Sequence, residues 1–107
     1  MPVLVCLCAC PDDASANAIA AALVEERFAA CVNLLPGVRS VYRWQGVVEH
    51  ASEVLLMIKT TDDRIEALGA RLQQLHPHEL PELIAVEAVG GLDPYLRWVA
   101  QQTSDDD

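Results

Sequence analysis

The chain opens with a strand pattern that gives way to a helix pattern. Apolar residues fill positions 3–10 without interruption, and Pro11 ends the run. A short apolar run of this kind predicts a strand that is buried on both faces. Asp12 and Asp13 offer the side-chain cap with which a helix begins, so a helix is predicted over 13–29. Its predicted apolar face consists of Ala16, Ile19, Ala20, Leu23 and Val24.

Two further strand patterns follow, joined by a turn. Residues 31–44 predict a second strand, in which Pro36-Gly37 indicates a bulge or an edge position. Gln45-Gly46 predicts a tight turn, so residues 47–60 should return as the second arm of a hairpin. Residues 54–58 within that arm are apolar throughout, which predicts a central position in the sheet.

The last third of the chain predicts a helix, a strand and a short helix. Residues 61–63 offer a cap for a second helix, which the prolines of the loop 76–82 bring to an end. Residues 83–89 predict a fourth strand, and Asp93-Pro94 predicts the start of a third helix. The second helix has apolar residues at helical spacing, namely Ile65, Leu68, Leu72 and Leu75.

The element order βαββαβ predicts an α+β fold of the ferredoxin-like type, with a short C-terminal helix added. Right-handed crossovers place both long helices on one side of the sheet, with strands one and three in the middle. Those two strands are apolar on both faces, so the second face needs a cover, and another copy of the chain is the simplest one. We expect one domain over 1–102 and a flexible acidic tail over 103–107.

Charge and composition exclude several classes of protein. A net charge of −9 and a pI of about 4.5 argue against nucleic acid as a partner, because its phosphates would be repelled. The sequence contains neither a membrane-spanning apolar run nor a secretory signal pattern. Four cysteines without a signal pattern predict the reducing cytoplasm, and no membrane partner is expected.

Five stretches of the sequence resemble the CutA divalent-cation tolerance proteins. They are "VCLCACPD" (5–12), "ACVNLLPGVRSVYRWQG" (30–46), "EVLLMIKTT" (53–61), "HPHELPE" (76–82) and "YLRW" (95–98). The resemblance implies a ferredoxin-like homotrimer with its sheets buried at the centre and its long hairpins pairing between subunits. This architecture is similar to that of the PII signalling proteins. It also implies a role in tolerance of copper and other divalent ions, through metal binding or a metal response, with no established catalysis.

The cysteines of the first strand and the His-Pro loop are candidate metal ligands. Thiolates favour Cu(I), and imidazole or carboxylate favours Cu(II). The resemblance makes Cys8 the family's candidate metal-binding cysteine, and we predict a set of Cys8, His76 and Glu82, with His78 and Cys10 as further possible ligands. His78 stands where the family usually has Tyr. The alternatives remain open that the cysteines are small buried hydrophobes and that the His-Pro turn serves packing.

A second candidate site is a cleft between subunits. Its residues match family motif positions, and aromatic side chains with a lysine suit a small anionic ligand. The alternative is that the aromatic residues anchor the subunit interface. The competing functional hypothesis is therefore a PII-like module that binds a small anionic ligand or a partner protein. A nucleophilic triad and a phosphate-binding loop are both missing from the sequence, so no enzyme and no organic cofactor are predicted. The predicted cleft residues are Asn33, Ser40, Trp44, Lys59, Tyr95 and Trp98.

Overall fold

A computed structural model describes residues 2–104 and has the predicted element order. Residue 1 and residues 105–107, and with them most of the predicted acidic tail, lie outside the described residues. The elements are β1 (Val3–Cys10), α1 (Asp13–Glu25), β2 (Cys31–Trp44), β3 (Val47–Thr61), α2 (Ile65–Leu75), β4 (Ile84–Glu87) and α3 (Asp93–Gln102).

The four strands form one antiparallel sheet in the order β2-β3-β1-β4. The prediction that β1 and β3 are central and β2 lies at an edge is confirmed. The register of β2 against β3 shifts between Leu35 and Val38, so Pro36-Gly37 forms the predicted irregularity. Beyond this shift the two strands pair as a long hairpin that ends at the Gln45-Gly46 turn, where both residues have positive φ.

The helices α1 and α2 cover one face of the sheet and form the main core with it. Cys6, Cys8 and Cys10 of β1 point into this core and are fully buried. Of the predicted apolar face of α1, all members are buried except Val24, which is 41% exposed. The prediction for Val24 is wrong, because the residue after Leu23 is turned about 100° around the helix axis, away from the sheet.

The first helix ends at Glu25, four residues before its predicted end. Arg27 adopts a left-handed conformation with φ of 66°. Its N–H donates to the carbonyl of Val24, and the N–H of Phe28 donates to that of Leu23. These two bonds are the Schellman arrangement that closes a helix, so the apolar residues that follow cannot extend it.

The predicted cap of the second helix is also wrong. Thr61 is the last residue of β3, and its hydroxyl donates to the Asp63 carboxylate at 2.5 Å across a turn. The helix starts at Ile65, and its cap position is occupied by Arg64 without a side-chain cap bond. Sheet pairing has extended β3 past the point at which the helix signal begins, since Thr61 is paired with Val3.

The other face of the sheet is largely uncovered within one chain. The helix α3 covers only its end, where Val99 packs against Val3. Leu7 of β1 and Met57 of β3 are half-buried there, and Ile84 and Val86 of β4 are 57% and 61% exposed. Thr103, which we assigned to the tail, is buried and donates its hydroxyl to the carbonyl of Val99, so it belongs to the packed domain.

Candidate metal centre

Three buried side chains that bear metal-ligating atoms meet at the end of β1. The Sγ atoms of Cys8 and Cys10 and a ring nitrogen of His76 all lie within 4.8 Å of one another. Strand geometry explains the cysteine pair, because residues two apart on a strand share a face. The His-Pro loop that follows α2 brings the histidine to them.

The thiol of Cys8 lies beside that of Cys10 and donates to the carbonyl oxygen of Ala9 over 3.8 Å. The neighbouring Cys10 thiol raises the pKa of Cys8, together with burial and the charges of Cys10, Glu82 and Glu53. The same pairing of the two thiols lowers the pKa of Cys10. Cys10 is therefore the more acidic member of the pair, and it is the thiolate that forms first.

Cys6 is as buried as Cys8 and Cys10, but it is not part of the cluster with His76. It lies two residues before Cys8 on the same face of β1, fully buried by the two helices. Burial raises its pKa to about 11. It is a small apolar filler of the core, which is the alternative that the sequence left open for all three cysteines.

Both ring nitrogens of His76 are engaged in hydrogen bonds. Nε2 lies 2.8 Å from the carbonyl oxygen of Ala9, and Nδ1 accepts the backbone N–H of His78 at 3.0 Å. A carbonyl oxygen can only accept, so the proton is on Nε2 and the ring is the neutral Nε2–H tautomer. The ring thus ties the loop to the residue between Cys8 and Cys10, which is the packing role that the sequence also allowed.

The side chain of Glu82 lies outside this buried cluster. Glu82 and His78 are exposed and line a groove of about 830 Å³ together with Ala9, which faces the opposite side of β1 from the two cysteines. Glu53 and Glu79 also line the groove, and Arg43 is a basic residue among its lining residues. Glu53 and Arg43 were missed by the sequence reasoning, since only the hairpin register brings them beside the loop.

The residues of the predicted cleft fall into two groups within one chain. Lys59 donates to the side chain of Asn33, and its strand partner is Cys31. Tyr95 lies near Cys31. The pKa of Tyr95 is raised mainly by burial and in addition by the charge of Cys31. Trp98 packs against Tyr95 with ring centroids 5.6 Å apart and ring planes tilted by 33°.

The other two members of the set, Ser40 and Trp44, line the groove at the hairpin. The strand partner of Ser40 is Ala51, eight residues from Lys59 along β3, which is about 26 Å at the usual strand rise. Within one chain, therefore, the two groups do not line a common cleft.

Comparison with known proteins decides the family. The model of the CutA1 divalent ion tolerance protein matches residues 4–102. The chain belongs to this family. A divalent-cation tolerance protein CutA from Pectobacterium atrosepticum is 47% identical over 96 residues, which are 90% of this chain and 87% of that protein. A solved CutA1 structure from Thermus thermophilus is 44% identical with a TM-score of 0.93, covering 95% of this chain and 99% of that one.

The family assignment confirms the resemblance and the ferredoxin-like fold. Mouse Protein CutA is 48% identical over 94 residues, which are 88% of this chain and 53% of the mouse protein. The chain therefore spans about half the length of this mammalian relative. Among residues 2–104, each helix is too short or too polar to cross a bilayer.

Proposed function

We propose that this CutA family member is a homotrimer that binds or responds to metal ions, copper above all, without catalysing a reaction. The observation that carries the proposal is the buried cluster of Cys8, Cys10 and His76. Its donor set of two thiols and an imidazole fits copper, because thiolates suit Cu(I) and imidazole suits either oxidation state. The name of the Pectobacterium relative, a divalent-cation tolerance protein, supports the same role.

In this proposal Glu82 lies outside the set of residues that hold the ion. Its carboxylate lies in the groove beside the cluster, with Glu53 and Glu79, and these three carboxylates outnumber the single guanidinium of Arg43. A groove with this charge attracts cations to the side of β1 opposite the buried thiols. We propose that Glu82 and His78 assist the arrival of the ion.

The trimer is supported by the uncovered face of the sheet. Half-buried Leu7 and Met57 and exposed Ile84 and Val86 form a continuous apolar surface there. A surface of this kind is typical of an interface between protein chains. A cytoplasmic location is supported by four cysteines that are all free, since reduced thiols persist in that compartment.

Metal titration of the purified protein tests the proposal. We expect Cu(I) or Cu(II) to bind with a dissociation constant below about 10⁻⁵ M, the weak end of sensor affinities, and Cys8→Ser to weaken it. Glu82→Gln should slow the uptake of copper more than it changes the affinity. Cys6→Ala is the matched control, because Cys6 is an equally buried cysteine of the same strand outside the cluster. Wild-type protein that binds no copper would overturn the proposal.

The competing function is a PII-like module that binds a small anionic ligand at the subunit cleft. The pairing of Lys59 with Asn33 beside Tyr95 is the observation that favours it, since it presents a cation next to an aromatic ring. The acidic groove argues against an anion at the hairpin end of the cleft. Nucleotide titration in parallel with copper separates the two, and a nucleotide signal that Lys59→Ala removes would favour the competing function.

A further inference from the structure

The cluster at the end of β1 offers two sulfur ligands, of which Cys8 makes only a long bond to the Ala9 carbonyl at 3.8 Å, and one histidine with both ring nitrogens hydrogen-bonded. The Sγ atoms of Cys8 and Cys10 are no more than 4.8 Å apart and face the same side of the strand. The bond of a thiolate to a d¹⁰ ion is about 2.3 Å long, as for zinc, so one ion reaches both sulfurs. His76 can become a ligand only by giving up the hydrogen bond to Ala9 or the one from His78.

The number of available ligands discriminates between metal ions. Structural zinc takes four protein ligands in a tetrahedron, whereas the described residues bring at most three ligand atoms together here, in a place closed to solvent. Cu(II) prefers several nitrogen or oxygen ligands in a tetragonal arrangement. Two thiolates are enough to coordinate Cu(I), because it is a soft ion of low coordination number.

We propose that Cys8 and Cys10 together hold the ion as a thiolate pair that selects Cu(I) over divalent ions, and that His76 positions this pair through Ala9. The inference rests on the proposed function, since it names the ion and the ligands of the same site. Binding forms two Cu–S bonds and breaks two S–H bonds, so both thiol protons leave to solvent and copper keeps its oxidation state. Cu(I) itself is the ion that the protein binds, and it is supplied already reduced.

The role of His76 follows from the residue that it contacts. Ala9 separates the two cysteines along β1, so a hydrogen bond to its carbonyl fixes the backbone on which both sulfurs stand. His76→Gln places an amide N–H near the position of Nε2–H and has no imidazole nitrogen for a metal. His76→Leu removes the hydrogen bond while keeping similar bulk. A positioning role predicts that Gln preserves Cu(I) affinity and Leu does not, whereas a ligand role predicts an equal loss in both.

The test measures Cu(I) affinity without oxygen, by competition with a chromophoric Cu(I) chelator, and Zn(II) and Cu(II) affinity by calorimetry. We expect Cys10→Ala to weaken Cu(I) by more than about 100-fold, beyond the effect of losing an outer-shell partner, with little change for Zn(II). His76→Leu should weaken Cu(I) by roughly 10–100-fold, as outer-shell changes do, and Cys6→Ala should change nothing. X-ray absorption should show two sulfur neighbours in the wild type and one in Cys10→Ala.

The outcomes separate this inference from the function on which it rests. Wild-type protein without affinity for either form of copper contradicts the proposed function. If Cys10→Ala binds copper as tightly as the wild type, or if the wild type shows only one sulfur neighbour, the proposed function stands and the thiolate pair is overturned. Equal losses in His76→Gln and His76→Leu, with a nitrogen neighbour in the absorption spectrum, would overturn the positioning role. Circular dichroism and sedimentation of each variant identify any that has failed to fold, and Cys10→Ser then replaces Cys10→Ala.

Discussion

The imidazole of His76 donates its Nε2–H to the carbonyl oxygen of Ala9 over 2.8 Å and thereby ties the loop after α2 to the end of β1. Its other nitrogen accepts the N–H of His78, so one buried ring satisfies two backbone groups from separate parts of the chain. The contact joins residues 67 positions apart. It makes His76 the residue that couples the stability of the loop to the shape of the candidate metal centre.

His76→Leu should destabilise the fold. It removes the partner of the His78 N–H and leaves the Ala9 carbonyl only the long contact from the Cys8 thiol at 3.8 Å. Both groups are part-buried, and a fully buried group left unsatisfied costs about 1–3 kcal/mol. Urea unfolding at a fixed protein concentration measures the loss of free energy. His78→Ala is the control, because it removes the ring contact with His76, at 4.8 Å between centroids, and keeps both hydrogen bonds of the His76 ring, so it should lose less stability than His76→Leu. Equal stability of His76→Leu and wild type would contradict the structural role of the ring.

The cysteines should differ in their reactivity toward a thiol reagent at pH 7. Cys31 is half-buried and should react first, whereas Cys6, Cys8 and Cys10 are buried and should react only on unfolding. A pKa of about 11 leaves Cys6 with roughly 10⁻⁴ of its population as thiolate at pH 7. Mass spectrometry of labelled peptides checks the order, and Cys31→Ser should abolish the early phase. Early labelling of Cys6 would show that the core opens readily.

A charge on the uncovered face of the sheet should disrupt the oligomer. Met57→Glu places a carboxylate on this half-buried surface, and burying it against a second copy is costly. We expect sedimentation analysis to show smaller species than for the wild type at the same concentration. Ala67→Glu adds the same charge on the exposed side of α2 and should leave the assembly intact. An unchanged sedimentation coefficient for Met57→Glu would place the interface elsewhere.

Arg27→Gly should stabilise the end of α1. Arg27 has φ of 66°, a conformation that costs a residue with a side chain about 1 kcal/mol and costs glycine almost nothing. Part of this gain is offset, because glycine gives the unfolded chain more freedom and the contacts of the arginine side chain are lost. A rise in the midpoint of thermal unfolding checks the expectation. Arg27→Ala removes the same contacts without relieving the backbone, so it should be less stable than Arg27→Gly.

Acid should weaken the start of α1 through Asp12. Its carboxylate accepts the backbone N–H of Ser15 at 2.8 Å, and this bond lowers the pKa of Asp12. Because the pKa of Asp12 is lower in the folded state, this hydrogen bond stabilises the fold fully above the usual Asp pKa of about 3.9. The stabilisation is lost as the pH falls through the folded-state pKa. Asp12→Asn keeps a capping oxygen that does not titrate. Its stability should fall less than that of the wild type between pH 5 and pH 2, and parallel curves would contradict the role of Asp12.

Much of the fold follows from the order of short patterns in the sequence. The apolar run 3–10 and the hairpin signal at Gln45-Gly46 gave β1 and β2 their correct bounds, because local propensity and sheet pairing agree there. The C-terminal end of α1 and the start of α2 differ from the prediction. A left-handed Arg27 closes α1 through local bonds to Val24 and Leu23, whereas the start of α2 is set by the pairing of Thr61 with Val3, a residue distant in sequence.

For the candidate site, the sequence by itself determined that Cys6, Cys8 and Cys10 share one strand face, and that a His-Pro loop follows α2. Only the tertiary structure decided which of the cysteines meet that loop. It brings Cys8 and Cys10 to His76 and leaves Cys6 in the core, and it holds Glu82 in the groove on the other side of β1. The physical reason is that a strand fixes side-chain direction locally, whereas the meeting of a strand with a loop depends on how the whole sheet and its helices pack.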